Sequence, residues 1–296
     1  MTDRKALDAT AFATMVLLGA VWGVYQVFVK LTAQDISLLM QGGLRSIIAT
    51  LLVFVWARWQ GVALFARDGT LGAGCAAGAL FALEFVFIYF GLGHTGASRM
   101  SVFVYLAPVL AALGLHLFVP GERLVPGQWA GVLLAFAGVA VAFSEGFLAA
   151  AASSTLLGDA CGMIAGALWA STTVVIRATS LAHASATKTL FYQIAAAALV
   201  LPLASWAIGE PGVVSLSAFA LASLAYQSVI VGFASLLVWF WLLRRYLAAR
   251  LGVLSFLTPM FGVVSGVVFL SEPLTPHFVA GALLVAAGIV LVNLRP

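Results

Sequence analysis

Two oppositely charged side chains lie deep inside apolar stretches of the sequence. Glu84 is the only acidic residue that far inside such a stretch, and Arg45 is the only base near the middle of one. An ionisable group in an apolar stretch is expensive to bury unless it faces a cavity or a partner. We therefore predict that Glu84 contacts an ammonium group of a ligand or exchanges a proton. A structural salt bridge with Arg45 is the alternative.

Aromatic and amide side chains provide the other candidates for ligand binding. Trp22 and Trp169 fall in the middle of apolar stretches, where an indole offers one N–H donor and a flat face. Helix packing is the alternative for both. Gln26 follows Trp22 by four residues and therefore shares its helix face. The remaining candidates are Tyr105, Thr173, Tyr226 and Gln227. For Thr173, a local hydrogen bond to the backbone is the alternative.

The motifs and clusters that hydrolytic or metal-dependent chemistry needs are missing from the sequence. It has no HExxH or GxSxG motif and no second carboxylate near Glu84. Cys75 and Cys161 show no metal-ligand spacing, and the four histidines are scattered. We therefore predict neither a metal site nor a cofactor. An intramembrane enzyme that acts on lipid is the weaker functional alternative.

The composition indicates which solvent surrounds these residues. Of the 296 residues, 64% are hydrophobic and only 8% are charged, whereas about a quarter of a soluble domain is charged. So few charges cannot keep a surface of this size in water, and the expected solvent is a lipid bilayer. The basic residues behind the net charge of +4 are spread between apolar stretches, which argues against a nucleic-acid partner.

Charges, prolines and polar clusters divide the sequence into ten apolar segments of the length that crosses a bilayer. We predict an all-α membrane protein, because a helix satisfies its own backbone hydrogen bonds in hydrocarbon. The first segment is longer than the apolar core of a signal peptide, so we expect it to be retained. The predicted spans are Ala11–Leu31, Ile36–Trp56, Thr70–Leu92, Ser98–Val119, Pro126–Phe143, Leu156–Ile176, Ala186–Ile208, Ser217–Leu243, Ala248–Leu270 and Pro276–Val292.

Lysine and arginine are concentrated in alternate loops. If the N-terminus is cytoplasmic, most of them lie on the cytoplasmic side, as the positive-inside rule requires. The loops of the opposite side carry Asp35, Glu145, Glu210 and Glu272. Since the number of spans is even, we predict that both termini are cytoplasmic.

The chain repeats itself at an offset of about 150 residues. The matched pairs include Trp22 with Trp169, Lys30 with Arg177, Arg99 with Arg250, Pro108 with Pro259, and Glu122 with Glu272. Each half, 1–148 and 149–296, holds five spans, an odd number, so the second half enters the membrane inverted. Inverted repeats are typical of carriers, whose substrate site lies near the midplane between the repeats. Duplication for assembly alone, as in some channels, is the alternative.

Prolines, glycines and acidic residues at matched positions predict how the helices bend and pack. Pro108 and Pro259 each remove one helix hydrogen bond, so we predict that they act as hinges. Small residues four apart, as in Gly158, Gly162 and Gly166, allow close helix packing. Glu122 and its match follow helix ends, and we expect them to bind helix termini rather than to act as gates.

The repeated motifs resemble the drug/metabolite transporter superfamily, in particular its EamA-type exporters. The tryptophans in LLGAVWG (17–23) and AGALWAS (165–171) resemble the first-helix pattern of that family. The stretches YLAPVLAALGLHLFVPGERL (105–124) and FLTPMFGVVSGVVFLSEPLT (256–275) resemble its fourth helix, and GQWAGVLLAFAGV (127–139) and HFVAGALLVAAGI (277–289) its fifth. Ala170 departs from the pattern, because a glycine is expected after Trp169. The resemblance covers essentially the whole chain and is closest to aromatic amino acid exporters of the YddG type.

This resemblance implies export of aromatic or other neutral amino acids, or of similar metabolites, across the bacterial inner membrane. Its implied partners are the small-molecule substrate and the lipid bilayer, and a monomer is compatible with it. An exporter of other metabolites or of drugs is the main alternative. The sequence leaves open whether transport is coupled to protons.

Overall fold

The described part of the chain is helical and contains no strand longer than a single bridge. The computed structural model describes residues 7–149, 156–270 and 274–293. In these ranges, nine helical spans are long and apolar enough to cross a membrane, and Pro126–Ala142 is a shorter tenth apolar helix. These spans confirm the predicted all-α, multi-pass fold. Glu272 lies outside the described residues, as do the basic residues next to both termini.

The described residues contain fourteen α-helices, and all but a short one between the fifth and sixth spans contribute to the ten spans. They are α1 (Ala9–Thr32), α2 (Leu38–Trp59), α3 (Leu71–Leu92), α4 (Ala97–Val104), α5 (Ala107–Phe118), α6 (Pro126–Ala142), α7 (Ser144–Ala149), α8 (Leu156–Ala178), α9 (Ala186–Ala207), α10 (Ala218–Ala225), α11 (Leu236–Arg245), α12 (Ala248–Leu254), α13 (Leu257–Leu270) and α14 (Pro276–Asn293). A π-helical segment, Tyr226–Ser235, joins α10 to α11 within the eighth span.

The fourth and ninth spans are each broken into two helices at matched positions. The break between α4 and α5 lies just before Pro108, and the break between α12 and α13 lies just before Pro259. Each proline therefore occupies the first turn of a new helix, where its missing N–H removes no helix hydrogen bond. The sequence predicted kinks inside continuous spans, whereas the structure contains two complete interruptions.

Helices of the two repeats pack in pairs that the repeat relates to one another. The last spans of the halves, α6 and α14, lie along each other, as do the second spans, α2 and α9. The contact of α1 with α13 is matched by that of α8 with α5, because α1 corresponds to α8 and α5 to α13. Such reciprocal pairing is what an internal two-fold relation between the halves requires.

Contacts between loops agree with the predicted sides of the membrane. At the predicted cytoplasmic end, Lys188 binds Asp68 with an N···O distance of 2.8 Å. At the predicted external end, the Leu39 N–H donates to the Glu210 carboxylate. Each contact joins loops that the ten-span topology places on the same side. Lys188 and Thr70 donate hydrogen bonds that lower the pKa of Asp68 to about 2.

Glycines fix the close contact between α6 and α14. A Cβ atom at Gly138 would lie 2.7 Å from the Gly281 carbonyl oxygen, and one at Gly131 would lie 2.8 Å from the Gly288 carbonyl oxygen. These distances are too short for carbon and oxygen, so any larger residue must separate the backbones. The glycines in the repeated stretches 127–139 and 277–289 therefore hold this helix pair together.

Replacement of Gly138 by alanine should lower the stability of the protein. The added methyl group meets backbone atoms of α14 that cannot yield, and overpacking typically costs about 1–3 kcal/mol. Thermal unfolding of the purified protein in detergent measures the effect. Gly127→Ala on the same helix is the matched control, because open space surrounds Gly127. Equal unfolding temperatures of the two variants would contradict the packing argument.

Candidate functional site

Arg45 and Glu84 approach each other without forming an ion pair. Both are buried, with 5% and 7% of their surfaces exposed. Arg45 is near enough to act electrostatically on the Glu84 carboxylate. In the part of the chain that the structure describes, however, no N···O distance of 4.0 Å or less joins them. The salt bridge that the sequence offered as the alternative for Glu84 is thus absent from these residues.

Aromatic rings surround Arg45. Its Nη1 donates a hydrogen bond of 2.6 Å to the Tyr25 hydroxyl, which lies 3.3 Å from the Tyr89 hydroxyl. The guanidinium carbon is 4.9 Å from the centroid of the Phe85 ring and 5.4 Å from that of Tyr25. The cation is therefore held by ring faces and a phenol, none of which carries a negative charge.

Tyr105 and Trp169 extend the site from Glu84 towards the other repeat. The Tyr105 hydroxyl is close enough to Glu84 to interact electrostatically with it. Its ring packs edge-on against Trp169, with 5.8 Å between centroids. Gly166 allows this approach, because a Cβ there would lie 2.9 Å from the Phe103 carbonyl oxygen. The break after α4 thus brings Tyr105 against α8.

A small cavity lies between the fourth, sixth, eighth and ninth spans. Pro108, Trp169, Thr173, Trp239 and Ser255 line it, together with small residues. Its volume of ≈ 10 Å³ is about the space that one water molecule needs. A metabolite therefore cannot enter it in this conformation, and these spans would have to separate to admit one.

Trp22 does not line this cavity but contacts Trp239, which does. Its Nε1 donates a hydrogen bond of 2.9 Å to the Ser235 hydroxyl. Its ring meets Trp239 edge-on, with 5.9 Å between centroids. Trp22 and Trp169 are matched by the repeat, and Trp239 in the eighth span lies beside both the cavity and Trp22. The sequence analysis did not single out Trp239.

Gln227 belongs to a separate polar network near the predicted external end. Its amide nitrogen donates to the Gln41 side-chain oxygen at 3.0 Å and to the Ser223 hydroxyl at 3.1 Å. The Thr32 hydroxyl also donates to Ser223. Gln227 is fully buried, and its side-chain oxygen has no hydrogen-bond partner among the described residues. This network ties the eighth span to α1 and α2.

The other three sequence candidates have different surroundings. Thr173 donates to the Trp169 carbonyl oxygen at 3.3 Å, the local backbone bond that was its alternative. Tyr226 donates to the Val21 carbonyl oxygen at 2.9 Å and therefore links α1 to the eighth span. The exposed side chain of Gln26 lies against Gly262 of α13.

A buried ion pair closes the predicted cytoplasmic end. Arg177 at the end of α8 donates to the Glu122 carboxylate, and each side chain is 1% exposed. The same carboxylate accepts hydrogen bonds from the N–H groups of Ala248 and Ala249, at 3.1 and 3.3 Å. Glu122 thus binds a helix terminus, as predicted, although this terminus is that of α12 in the other repeat. It holds α8, α12 and the α5–α6 loop together.

A second ion pair closes the predicted external end. Arg99 of α4 pairs with Asp159 of α8, and the Thr95 hydroxyl donates to Asp159 at 2.9 Å. The Phe147 ring lies 3.9 Å from the Arg99 guanidinium carbon. Arg99 therefore fixes the start of α4 against α8, next to the tightly packed Gly158.

Comparison with known proteins identifies the family. The model of the EamA-like transporter family matches residues 10–144 and again residues 156–294. The chain belongs to the EamA-like transporter family. It is a multi-pass membrane transporter, and the double match agrees with the internal repeat.

Relatives cover nearly the whole of this EamA-like chain. It is 26% identical over 291 residues to an uncharacterized transporter of Archaeoglobus fulgidus, covering 98% of this chain and 99% of the relative. It is 28% identical to a protein of Escherichia coli K12 named "Probable amino-acid metabolite efflux pump", covering 92% and 91%. A crystal structure with 21% identity matches 95% of both chains with a TM-score of 0.78, which shows the same fold.

Sequence reasoning missed several residues of this EamA-like site. Tyr25 and Phe85 hold Arg45, and Ser235 and Trp239 hold Trp22. Tyr25 precedes Gln26 directly, and Phe85 follows Glu84 directly. Their position next to a candidate residue was the one feature of the sequence that could have identified them. Among the described residues, no group of three His, Cys, Asp or Glu could hold a metal ion.

Replacement of Glu122 by glutamine should destabilise the EamA-like bundle by about 3 kcal/mol or more, because it removes the negative charge from a buried pair whose members water does not reach. Unfolding in detergent, followed by heat and by denaturant titration, measures the loss. Glu145→Gln is the matched control, since its contact with His277 is about half exposed and such pairs contribute little. Similar losses of stability in both variants would show that the buried pair stabilises the protein no more than the exposed one does.

Proposed function

We propose that this transporter exports neutral amino acids, including aromatic ones, or closely similar metabolites across the bacterial inner membrane. Transport proceeds by alternating access, with both termini in the cytoplasm and the site between the repeats. The observation that carries the proposal is the convergence of aromatic rings from both repeats beside one carboxylate. Trp22 and Tyr105 come from the first repeat, Trp169 and Trp239 from the second, and Glu84 lies at one end of the group.

The chemistry of this site favours a small amphipathic substrate. Aromatic walls bind apolar side chains or cations, and a few polar groups fix the orientation of a ligand. Glu84 offers a carboxylate for which no described residue provides a hydrogen bond, so it is available to an ammonium group. The printed name of the Escherichia coli relative, an amino-acid metabolite efflux pump, supports the same substrate class.

Matched contacts at the two ends support alternating access. Arg99 pairs with Asp159 at the predicted external end, where Thr95 also donates to that acid. At the other end the Tyr246 hydroxyl, which the repeat matches to Thr95, donates to Asp8 at 2.8 Å. Arg250 occupies the position of Arg99. Both ends thus carry matched polar residues that can join the helices there. In this conformation Arg99 forms an ion pair at the predicted external end, whereas the Nε of its match Arg250 has no hydrogen-bond partner among the described residues.

Counterflow in proteoliposomes tests the proposed function. Vesicles loaded with unlabelled L-phenylalanine should accumulate external labelled L-phenylalanine several-fold above vesicles loaded with glucose, because a carrier exchanges bound substrate across the membrane. L-leucine, L-threonine and L-alanine complete the panel. A channel would equilibrate the label without this accumulation, and the absence of counterflow for every amino acid of the panel would overturn the proposal.

The proline breaks should set the speed of exchange. Alanine at Pro108 or Pro259 restores an N–H donor and allows the two half-helices to join, so the span becomes stiffer. We expect each variant to slow counterflow several-fold while it is still produced as folded protein. Pro202→Ala is the matched control, because Pro202 lies inside the uninterrupted helix α9. Unchanged exchange in both Pro108→Ala and Pro259→Ala would refute the hinge hypothesis.

A further inference from the structure

Arg45 and Glu84 lie at the same depth in the bundle. Arg45 is the eighth residue of α2, counted from the predicted external end, and Glu84 lies eight residues before the end of α3 at that side. At 1.5 Å per residue, Arg45 is about 10 Å and Glu84 about 12 Å inside its helix. A cation and an anion thus share one level between two neighbouring spans of the first repeat.

The Arg45 guanidinium has unused hydrogen-bonding capacity. It carries five N–H donors, and among the described residues only the Tyr25 hydroxyl accepts from it. Its aliphatic stem is fixed by the π-helical segment, since a Cβ at Gly232 would lie 3.3 Å from the Arg45 Cγ. The guanidinium carbon lies 4.9 Å from the Phe85 ring centroid and 5.4 Å from that of Tyr25, so both rings limit its movement. The donor fork is therefore held in place but only partly used.

Glu84 has the complementary property. No described residue donates a hydrogen bond to its carboxylate, and its charged neighbour Arg45 stays beyond ion-pair distance. Leaving an anion and a cation without full compensation inside the membrane is costly. A molecule with a carboxylate and an ammonium group close together would compensate both charges at once.

We propose, building on the proposed function, that this pair selects zwitterionic α-amino acids. Arg45 binds the α-carboxylate, because the planar guanidinium forms two parallel hydrogen bonds to a carboxylate. Glu84 binds the α-ammonium group. The substrate side chain then lies towards Tyr105, which interacts electrostatically with Glu84, and towards Trp169, whose ring packs against Tyr105.

This assignment predicts which derivatives of a substrate are refused. Phenylalanine methyl ester and phenethylamine keep the ammonium group but lack the free carboxylate. N-acetyl-phenylalanine keeps the carboxylate but lacks the ammonium group. Each should compete with labelled L-phenylalanine in counterflow at least ten-fold more weakly than unlabelled L-phenylalanine does. If phenylalanine shows no counterflow, the amino acid of the panel with the strongest counterflow and its three corresponding derivatives replace this set.

Substitution of Arg45 should remove the requirement for a free carboxylate, and substitution of Glu84 the requirement for a free ammonium group. In Arg45→Gln, the ester and the amine should compete as well as the amino acid, whereas N-acetyl-phenylalanine stays weak. In Glu84→Gln, N-acetyl-phenylalanine should compete as well as the amino acid, while the ester and the amine remain weak competitors. Arg45→Lys keeps the charge without the planar fork, and it should retain the preference for a free carboxylate with about ten-fold weaker binding. Arg58→Gln, at an exposed position of the same helix, is the control and should behave like the wild type.

The outcomes separate this inference from the proposed function. Equal competition by the ester, the amine and the amino acid in the wild type would overturn zwitterion selection, although counterflow would still support amino acid transport. Unchanged discrimination in a folded Arg45→Gln protein would overturn the role of Arg45. If Glu84→Gln abolished only the pH dependence of counterflow and left discrimination intact, Glu84 would be a proton site instead. The wild-type competition needs no variant, so it decides even if a substitution prevents folding.

Discussion

Hydrocarbon offers no hydrogen bonds, so each polar group in a membrane span has to find its partner within the protein. Several hydroxyl groups in these spans meet this constraint locally. Ser46, Thr172 and Ser235 donate to backbone oxygens four residues earlier, at 2.7 to 2.9 Å. Against this background, a polar group whose bonding is incomplete is informative. Glu84, most N–H groups of Arg45 and the side-chain oxygen of Gln227 are such groups, and the first two meet at one level beside the aromatic residues.

The inverted repeat explains the matched prolines and tryptophans around the site but not its charged residues. Pro108 and Pro259 break their spans at equivalent places, and Trp22 and Trp169 each meet an aromatic ring edge-on. The third spans of the halves differ. Helix α3 is continuous and carries Glu84, whereas its counterpart contains the π-helical segment, which carries Gln227 and the glycine beneath Arg45. A π-helical turn inside an α-helix often marks a functional site. The candidate binding groups Glu84 and Arg45 therefore lie where the two similar halves differ.

The sequence predicts the spans well because length and hydropathy determine whether a helix crosses a membrane. Predicted and observed helix ends agree within a few residues for most spans, as Leu71–Leu92 and Ala186–Ala207 illustrate. Hydropathy cannot predict which way each helix faces, because these helices are apolar on all sides. The hydropathy pattern therefore could not predict the contact of Arg45 with Tyr25. Nor could it predict that the N-terminus of α12 donates hydrogen bonds to Glu122 of the other repeat. Small residues were the exception: the sequence predicted close packing at Gly158, Gly162 and Gly166, and a Cβ at any of them would lie within 2.9 Å of a neighbouring segment.

A carrier that alternates needs closures of similar strength at its two ends, since a large difference in free energy would trap one state. The described closures are of the same kind. Arg177 with Glu122 and Arg99 with Asp159 are both arginine–carboxylate pairs, and both anchor the end of α8 on their own side. Because α8 carries Trp169 between these two pairs, release of either pair would free one end of the helix that lines the site. The glycine contact of α6 with α14 involves none of these residues and can persist while α8 moves. The packing thus separates a tightly packed helix pair, α6 with α14, from α8, which is held by an ion pair at each end and carries Trp169 of the proposed site.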